Sequence, residues 1–199
     1  GGHSLVEDED YVAASTATAV LSESGLGKFT QIELGKKLAG KVVRVSSGIG
    51  TRTESVSGSA SPQDLETLFQ LIYLKFMAPR ADSSAFVAFQ DRIRGSLQNR
   101  HLSPQAAFND TVLVTMSQYH FRSRPVSMQM LDEMDLQRSL EIYKDRFADA
   151  SDFTFVLVGN FQPEKIRPLV ETYLGSLPAL IRNETPRNVS ALPPTGIVE

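Results

Sequence analysis

The stretch SDFTFVLVGNFQPEKIRPLVETYLGSLP, residues 151–178, runs from an apolar strand through a turn into a helix. Apolar side chains alternate onto both faces of the strand: Phe153, Phe155 and Leu157 on one face, Val156 and Val158 on the other. Because both faces are apolar, strand 153–159 is predicted to be central and largely buried. Pro163 opens the helix that follows. Gly159 stands alone in the turn, without the G-x-G-x-x-G run of a dinucleotide site, so this turn is interpreted as architectural.

Helix signals fill much of the chain before this stretch. Residues 1–7 are interpreted as the end of a strand. An acidic run at residues 7–10 then precedes an alanine-rich helix, which ends at Gly25 and can pack closely against a neighbour. Thr30 and Glu33 form a capping-box pattern for a second helix. Four further helices are predicted to begin near Ser61, Ser83, Ser103 and Asp135.

Two strand-like runs, residues 41–47 and 51–60, lie on either side of Gly-Ile-Gly and predict a β-hairpin. Hydroxyl side chains alternate onto one face of the second strand: Thr51, Thr53, Ser55, Ser57 and Ser59. This face is predicted to meet water or a polar cavity instead of a core. Together with strand 153–159, the hairpin predicts an α+β fold in which an antiparallel sheet carries helices mainly on one face.

The composition limits both the size of the domain and its partners. The chain has 199 residues, 41% of them hydrophobic and 22% charged, which suits a single domain at residues 1–178. Residues 179–199, where Asn, Pro, Arg and Thr recur, are predicted to be a linker toward a following domain. A net charge of −3 excludes the basic surface that nucleic acid requires. No apolar stretch approaches the roughly 20 residues of a membrane span.

The sequence shows no pattern for a catalytic or metal-binding centre. The lack of cysteine excludes thiolate ligands and a Cys nucleophile. None of the three histidines, His3, His101 and His120, has a His or Glu partner at the i, i+4 spacing of a zinc helix. Gly27-Lys28 fails the P-loop pattern, and there is no Gly-x-Ser-x-Gly elbow. Catalytic residues and metal ligands are therefore predicted to be absent from this chain.

One cluster of basic residues is a candidate binding site. His120, Arg122 and Arg124, with Arg100 and His101 at the end of the preceding helix, can bring positive charge to one edge of the domain. There an Arg side chain could form a bidentate ion pair with a carboxylate or a peptide C-terminus. The alternative is a solvated loop whose charges pair with local acids.

Three segments, residues 4–41, 57–80 and 151–178, together resemble the pitrilysin and insulinase family of zinc metallopeptidases. The Val-Gly-Asn-Phe turn and the YLGSLP ending are typical of its bacterial zinc proteases. The resemblance implies a domain with the LuxS/mitochondrial-processing-peptidase-like metallohydrolase fold. In full-length members, four such domains form two halves that clasp a chamber. Only the N-terminal half carries the zinc helix, with its H-x-x-E-H motif.

This chain departs from the family at the zinc motif. The segment that aligns with the zinc helix, ASTATAVLSESG at residues 14–25, has Ala, Thr, Val and Leu where the two His and the Glu would stand. The later ligand region, residues 88–100, offers no well-placed Glu. The resemblance therefore implies a non-catalytic domain from the C-terminal half of such a protease. Zinc and catalysis would belong to the N-terminal half of the same polypeptide.

The resemblance further implies that the domain forms part of the substrate-enclosing chamber. Thr53, Ser55 and Ser57 are expected to contact peptide there, and the alternative is that they only solvate an outer strand. A competing hypothesis is a structural or scaffolding homologue of processing peptidases, in which neither half cuts. The start at Gly-Gly-His-Ser, without Met, is interpreted as a cut inside a longer protein that removes an edge strand, which leaves a sheet edge for homodimer formation. The bacterial pattern favours the periplasm over the cytoplasm.

Overall fold

The computed structural model describes residues 1–189 and 192–196 of the chain. In this part of the chain the fold is α+β, as predicted, and consists of α-helices and a two-stranded antiparallel sheet. The helices are α1 (Tyr11–Glu23), α2 (Gln31–Lys37), α3 (Leu65–Met77), α4 (Ser83–Gln98), α5 (Pro104–Met116), α6 (Met128–Asp132), α7 (Leu136–Arg146) and α8 (Pro163–Leu169), which continues as one π-helical turn, Val170–Leu174. No helix within the described residues is long and apolar enough to cross a membrane.

Side chains cap three of the predicted helix starts, those at Thr30, Ser103 and Asp135, and at α5 Ser103 Oγ accepts the N–H of Ala106 at 3.3 Å. At α2, the Glu33 N–H donates to Thr30 Oγ1 at 3.3 Å, and the Thr30 N–H donates to Glu33 Oε2 at 2.9 Å. The capping box is therefore confirmed. At α7, Asp135 Oδ1 accepts the N–H of Arg138 at 2.7 Å.

The start of α3 differs in detail from the prediction. A 3₁₀ turn, Pro62–Asp64, precedes the helix, and the Ser61 hydroxyl makes no capping bond to its backbone. Instead the Ser61 hydroxyl donates to Asp64 Oδ2 at 2.7 Å, and the N–H of Val42 donates to the same oxygen at 2.9 Å. Asp64 therefore ties the start of α3 to the beginning of the hairpin.

The predicted hairpin is confirmed and consists of β1 (Val43–Ile49) and β2 (Glu54–Ala60). The strands pair antiparallel, with a register that runs from Val43 opposite Ala60 to Ile49 opposite Glu54. Its turn is closed by the Gly50 N–H, which donates to the Thr53 carbonyl at 2.8 Å. Both α1 and α3 pack against this hairpin.

The prediction of a third, central and buried strand at residues 153–159 is wrong for this structure. These residues form no strand, and the side chains of Val156 and Val158 are 79% and 92% exposed. One side of the segment does reach the core, because the Phe153 ring lies 5.1 Å from the ring of Phe76. Residues 153–158 also line a groove, and no described residue pairs with their backbone as a strand.

The amino-terminal residues also differ from the prediction of a strand end. Gly2–Leu5 forms a 3₁₀ turn, and Gly2 has a φ of +69°, a conformation that suits glycine. The turn docks on the hairpin through backbone hydrogen bonds. The His3 N–H donates to the Gly50 carbonyl at 2.9 Å, and the Ser4 N–H donates to the Thr51 carbonyl at 2.8 Å.

The core lies between the alanine-rich helix α1, helix α7 and the hairpin. Ala14 and Ala17 of α1 are fully buried, which confirms that the small side chains allow close packing. The Ser139 hydroxyl of α7 donates to the Ala13 carbonyl at 3.0 Å, so the helix backbones approach closely. Beyond this contact, aromatic rings fill the core: Phe76, Tyr143, Phe147 and Phe153.

The segment that begins at residue 179 lies along the domain. Asp149 accepts the backbone N–H groups of Leu180 and Arg182 at 2.8 and 2.7 Å. Further on, Arg146 Nη1 donates to Glu184 Oε2 at 2.8 Å, and Arg187 Nε donates to the Ser4 carbonyl at 2.9 Å. The role of residues 179–199 as a linker toward a following domain stays a prediction.

Candidate functional site

A groove of about 680 Å³ lies between β2 and residues 152–158. Its floor comes from apolar side chains of α3 and of the C-terminal helix: Leu65, Leu68, Phe69, Ile72, Ile166 and Leu174. One wall is β2, and the opposite wall is the segment that the sequence predicts as a strand. The groove therefore combines an apolar floor with one wall formed by a β-strand and one wall without regular secondary structure.

The hydroxyl residues predicted to contact substrate lie on the β2 wall. Ser55 and Ser57 are exposed, whereas Val56 between them packs against the core. Thr53 is exposed in the turn that precedes β2. The hydroxyl face of the hairpin is thus turned away from the helices, as the alternation predicts. Contact of these three residues with a peptide stays a prediction.

Gly58 determines how closely α3 approaches β2. A Cβ atom at this position would lie 2.6 Å from Leu68 Cδ1 and 3.1 Å from the Arg44 carbonyl oxygen. Both distances are shorter than van der Waals contact, so a side chain at Gly58 would displace Leu68 from the groove floor. Gly58 lies on the same face of β2 as Val56, opposite the hydroxyl side chains, and its lack of a side chain leaves room for Leu68.

The residues of the groove floor were not recognised from the sequence as part of a site. Phe69 is 1% exposed, and the Tyr173 ring stacks over it with the ring centroids 6.5 Å apart. The signal for this burial lies in LETLFQLIYLKF, residues 65–76, where apolar side chains occur all round the helix. Such a helix is covered on more than one side. The residues on the second side of α3, 153–158, lie more than 75 positions away in the sequence. The sequence of α3 alone therefore could not identify them.

Buried charges hold one end of the groove. Glu54 Oε1 accepts the Gly2 N–H at 2.6 Å, and Glu54 lies 3.9 Å from Nη1 of Arg146. The side chain of Arg146 is 8% exposed and also pairs with Glu184 at 2.8 Å. These contacts bring the amino-terminal turn, β2 and the C-terminal segment together at the same place.

The predicted cluster of His120, Arg122 and Arg124 does not form one open basic edge. The Arg122 side chain is 5% exposed, and its Nε donates to Asp8 Oδ1 at 2.7 Å. Its other nitrogens donate to the His3 and Val6 carbonyls at 2.8 and 2.7 Å. Arg122 therefore fixes the amino-terminal turn through one carboxylate and two carbonyls that are distant in the sequence.

His120, Arg124 and Arg100 have partners close by in the sequence. His120 Nδ1 accepts the N–H of Arg122 at 3.1 Å. Arg124 forms a two-pronged ion pair with Glu133, and its guanidinium lies 4.4 Å from the centre of the Phe121 ring. Arg100 pairs with Asp110, and the side chain of His101 lies outside what the structure describes. Peptide contact by His120, Arg122 and Arg124 stays a prediction.

A second cavity, of about 490 Å³, adjoins the amino-terminal turn and is lined by His3, Tyr11, Ser117 and Arg122. The rings of His3 and Tyr11 meet edge to face, 5.3 Å apart. Burial, together with the positive charge of Arg122, lowers the pKa of His3, so the neutral imidazole is favoured. Burial likewise raises the pKa of Tyr11. This cavity therefore has no charged group that is both buried and unpaired.

Metal-binding groups are not assembled in the described part of the chain. No three side chains of the His, Cys, Asp or Glu type lie close enough there to hold an ion. Along α1, the positions that face the core carry apolar side chains only: Val12, Ala13, Ala14, Ala17, Val20 and Leu21. This helix, which the sequence resemblance predicts to align with the family's zinc helix, uses its inner face for packing. The absence of a metal from this chain stays a prediction.

Comparison with curated proteins finds zinc proteases over most of the chain. A "Zinc protease PQQL-like" from Arabidopsis thaliana is 26% identical over 181 residues, which are 89% of this chain and 16% of that protein. "Probable zinc protease PqqL" is 21% identical over 177 residues in Haemophilus influenzae and 26% identical over 168 residues in Escherichia coli. The chain spans 16% to 19% of the length of these relatives. No protein-family model matches it.

Solved structures of proteases have the same fold. The periplasmic protease PqqL from Escherichia coli superposes with a TM-score of 0.73 at 22% identity, over 95% of this chain and 20% of that one. The ferredoxin protease FusC, solved in complex with Arabidopsis ferredoxin, gives a TM-score of 0.70 at 18% identity, over 90% of this chain and 20% of that one. A protease from Helicobacter pylori also gives 0.70, at 12% identity. These likenesses confirm the expected fold.

Proposed function

We propose that this chain is a non-catalytic domain of a zinc metallopeptidase, and that it forms part of a substrate-enclosing chamber and contacts the peptide. Similarity to zinc proteases over 81% to 89% of the chain supports the proteolytic setting. The apolar inner face of α1 carries the non-catalytic part of the proposal, because it places Ala and Val where the family carries zinc ligands. The zinc and the catalytic Glu then belong to another half of the same polypeptide.

The hydroxyl face of β2 is the surface that we propose for peptide contact. Ser55 and Ser57 are exposed there, and a hydroxyl both donates and accepts hydrogen bonds. Such side chains can bond to the backbone of an extended peptide in many registers and tolerate many sequences. A chamber wall that holds unfolded substrates requires this tolerance.

The periplasm is the compartment that we propose. The solved PqqL of Escherichia coli is described as a periplasmic protease. The lack of cysteine in this chain is compatible with that compartment. This part of the proposal is tested by expressing the full-length protein in a bacterial host and separating periplasm from cytoplasm. The protein is expected in the periplasmic fraction.

The proposed chamber wall is tested by comparing the cleavage rates of a long and a short peptide by the full-length protease. Thr53, Ser55 and Ser57 are replaced together by Leu, which keeps the strand but removes the hydroxyls and narrows the chamber. Cleavage of a long peptide is expected to fall at least ~10-fold while that of a short peptide is retained, because only the long peptide reaches this wall. If the substitution affects cleavage of both peptides equally, the hydroxyl face is only a solvated surface.

A matched variant controls for added apolar surface. It replaces three exposed hydroxyl residues outside the groove by Leu: Ser22, Ser96 and Thr111. Cleavage of both peptides by this variant is expected to be unchanged. If no peptide is cut even by the unaltered full-length protein, the proposal of a protease fails and the scaffolding homologue stands in its place.

A homodimer through an open sheet edge is the remaining predicted partner. Each strand of the two-stranded sheet has one side without a strand partner among the described residues, and that side of β2 adjoins the groove. Dimer formation stays a prediction, and sedimentation over a range of concentrations measures it.

A further inference from the structure

The hydroxyl face of the hairpin, which carries Ser55 and Ser57, also receives side chains from β1. Residues that lie directly opposite each other in an antiparallel pair turn their side chains to the same face. The register places Arg44 opposite Ser59, and Ser46 opposite Ser57. Arg44 therefore lies on the hydroxyl face, where it is exposed.

Arg44 has no partner of opposite charge. Within the described part of the chain no carboxylate forms an ion pair with it, and its cross-strand neighbour, Ser59, is neutral. The same holds for Arg52, an exposed residue of the hairpin turn that lines the groove. Because Arg44 lies near the beginning of β1 and the turn follows the end of that strand, the two cations lie at opposite ends of the face. A guanidinium stays charged at every physiological pH, so both ends are positive.

The hydroxyl face has no carboxylate that balances these two charges. Glu54 is the only acidic residue of the hairpin segment, residues 41–60. Its side chain is 10% exposed and accepts the Gly2 N–H at 2.6 Å, while Arg146 lies 3.9 Å away. In the alternation of the strand, Glu54 belongs to the side of Val56, opposite the hydroxyls. The face is therefore positive in a chain whose net charge is −3.

The surroundings of the face extend its positive charge. Beyond the Arg44 end, residues 35–43 carry three lysines and no acid: Lys36, Lys37 and Lys41. Only Lys41 has a carboxylate partner among the described residues, Asp64 at 3.5 Å. Asp152, on the far wall of the groove, is exposed and forms no ion pair within the described chain. Exposed charges of this kind act on a ligand over about 10 Å at 0.1 M salt.

These features specify the chemistry of a ligand. An arginine guanidinium binds a carboxylate through two parallel N–H···O bonds, and a serine hydroxyl donates to a carboxylate or to a peptide carbonyl. From Ser55 to Ser59 the strand spans about 13 Å at ~3.3 Å per residue, the length of about four residues of an extended peptide. A peptide with Asp or Glu side chains finds donors for its backbone and cations for its carboxylates there, whereas a basic peptide meets like charge.

We propose that the hydroxyl face selects acidic segments of the peptide substrate, and that Arg44 and Arg52 determine this specificity. The inference rests on the proposed function, because it names the substrate class of the surface proposed for peptide contact. The hydroxyls provide contacts that tolerate many sequences, whereas the two arginines discriminate by charge. If both arginines were only solvated, substrates of opposite charge would be equivalent at this face.

Three peptides of equal length test the charge preference in the full-length protease. They share one cleavable sequence and differ in a flanking run of Glu, Gln or Lys, and all are amidated at the C-terminus so that only side-chain charges differ. The unaltered protein is expected to give the highest kcat/KM with the Glu peptide and the lowest with the Lys peptide. Raising the salt concentration from about 0.05 M to about 0.5 M should bring the three values together, because salt screens exposed charges.

Charge variants assign the preference to the two arginines. In Arg44→Gln combined with Arg52→Gln, the ratio of kcat/KM between the Glu and Gln peptides is expected to fall about 2- to 5-fold, the range for exposed ion pairs. In Arg44→Glu combined with Arg52→Glu, the order of the Glu and Lys peptides should reverse. The matched control, Arg92→Gln combined with Lys144→Gln, removes two exposed cations from α4 and α7 and should leave the ratio unchanged.

Binding measured without cleavage separates this inference from the proposed function. The full-length protein is treated with a chelator, and the dissociation constants of fluorescently labelled Glu and Gln peptides are compared by anisotropy. If no peptide is cut but the Glu peptide binds more tightly and the arginine variants remove the difference, the proposal of a protease fails and the ligand class stands. Equal binding of the two peptides by the unaltered protein would overturn the inference, and so would a preference that is unchanged in both arginine variants.

Discussion

The Asp149 carboxylate accepts the backbone N–H of Arg182, with Oδ2 2.7 Å from the nitrogen. Its other oxygen accepts the Leu180 N–H at 2.8 Å and both the hydroxyl and the N–H of Ser151. Four donors thus converge on one buried side chain, which is 4% exposed. This carboxylate joins the end of α7 to the segment that begins at residue 179, so that segment follows the domain surface from its first residues.

Replacement of Asp149 by Asn is expected to lower stability and to release residues 180–182. An amide has one acceptor oxygen in place of two, and its NH₂ group would face the N–H donors. The Tm should fall by a few degrees, and limited proteolysis should cut after Arg182 sooner. Asp152→Asn, at an exposed position three residues away, is the matched control and should leave both measurements unchanged.

The same carboxylate predicts a dependence of stability on pH. Hydrogen bonds from Ser151 and from the N–H groups of Arg182 and Leu180 hold the pKa of Asp149 well below its usual range. Because the pKa is lower in the folded state, the stabilisation is complete above the unfolded-state pKa, near 4, and is lost as the pH falls further. Urea unfolding between pH 3 and 6 should therefore show a smaller acid-dependent loss in Asp149→Asn than in the unaltered protein. Parallel curves for the two proteins would contradict this assignment.

Arg122 is expected to be a structural residue of the amino-terminal turn. Arg122→Met keeps the apolar stem of the side chain but leaves the His3 and Val6 carbonyls without their donors. The free energy of unfolding should fall by about 1–3 kcal/mol. Arg167→Met removes an exposed arginine that pairs with Glu171 within one helix, and it should change the value by less than about 0.5 kcal/mol. An equal effect of the two substitutions on urea unfolding would show that Arg122 is not an anchor.

Because α1 packs closely on α7, a larger side chain is expected to be destabilising at Ala17. Ala17 is fully buried, so Ala17→Leu forces either helix to move and should reduce the free energy of unfolding by about 1–3 kcal/mol. Ala19→Leu changes the same helix at an exposed position and should have little effect. Chemical denaturation of both variants measures the difference. If Ala17→Leu leaves the free energy of unfolding unchanged, the two helices are not in tight contact.

The chain on its own is expected to bind no zinc and to cut no peptide. The described side chains assemble no group of three metal-binding residues, and α1 carries none of the H-x-x-E-H ligands. Elemental analysis after dialysis against a weak chelator should find far less than one zinc per chain, with a zinc protease treated in the same way as the positive control. One tightly held zinc per chain would contradict the assignment to a non-catalytic half.

Several features of the fold were predictable from the sequence because their causes are local. The capping box at Thr30 and Glu33 joins residues three positions apart, and the hairpin follows from two strand patterns around a short turn. The alternation of Ser55 and Ser57 with Val56 likewise placed the hydroxyls on the exposed face. The resemblance to zinc peptidases, carried by whole segments of sequence, indicated the fold that the solved proteases confirm.

Only the tertiary structure decided which partners the remaining residues use. Arg122 was interpreted as part of a basic edge, but its acceptors lie more than 110 positions away at the amino terminus. Residues 153–158 have the pattern of a central strand, yet a pattern of side chains states only that a strand would be covered and not which segment covers it. Hydrogen bonds within a turn or a helix cap are fixed by neighbours in the chain, whereas burial depends on what the fold brings from far away.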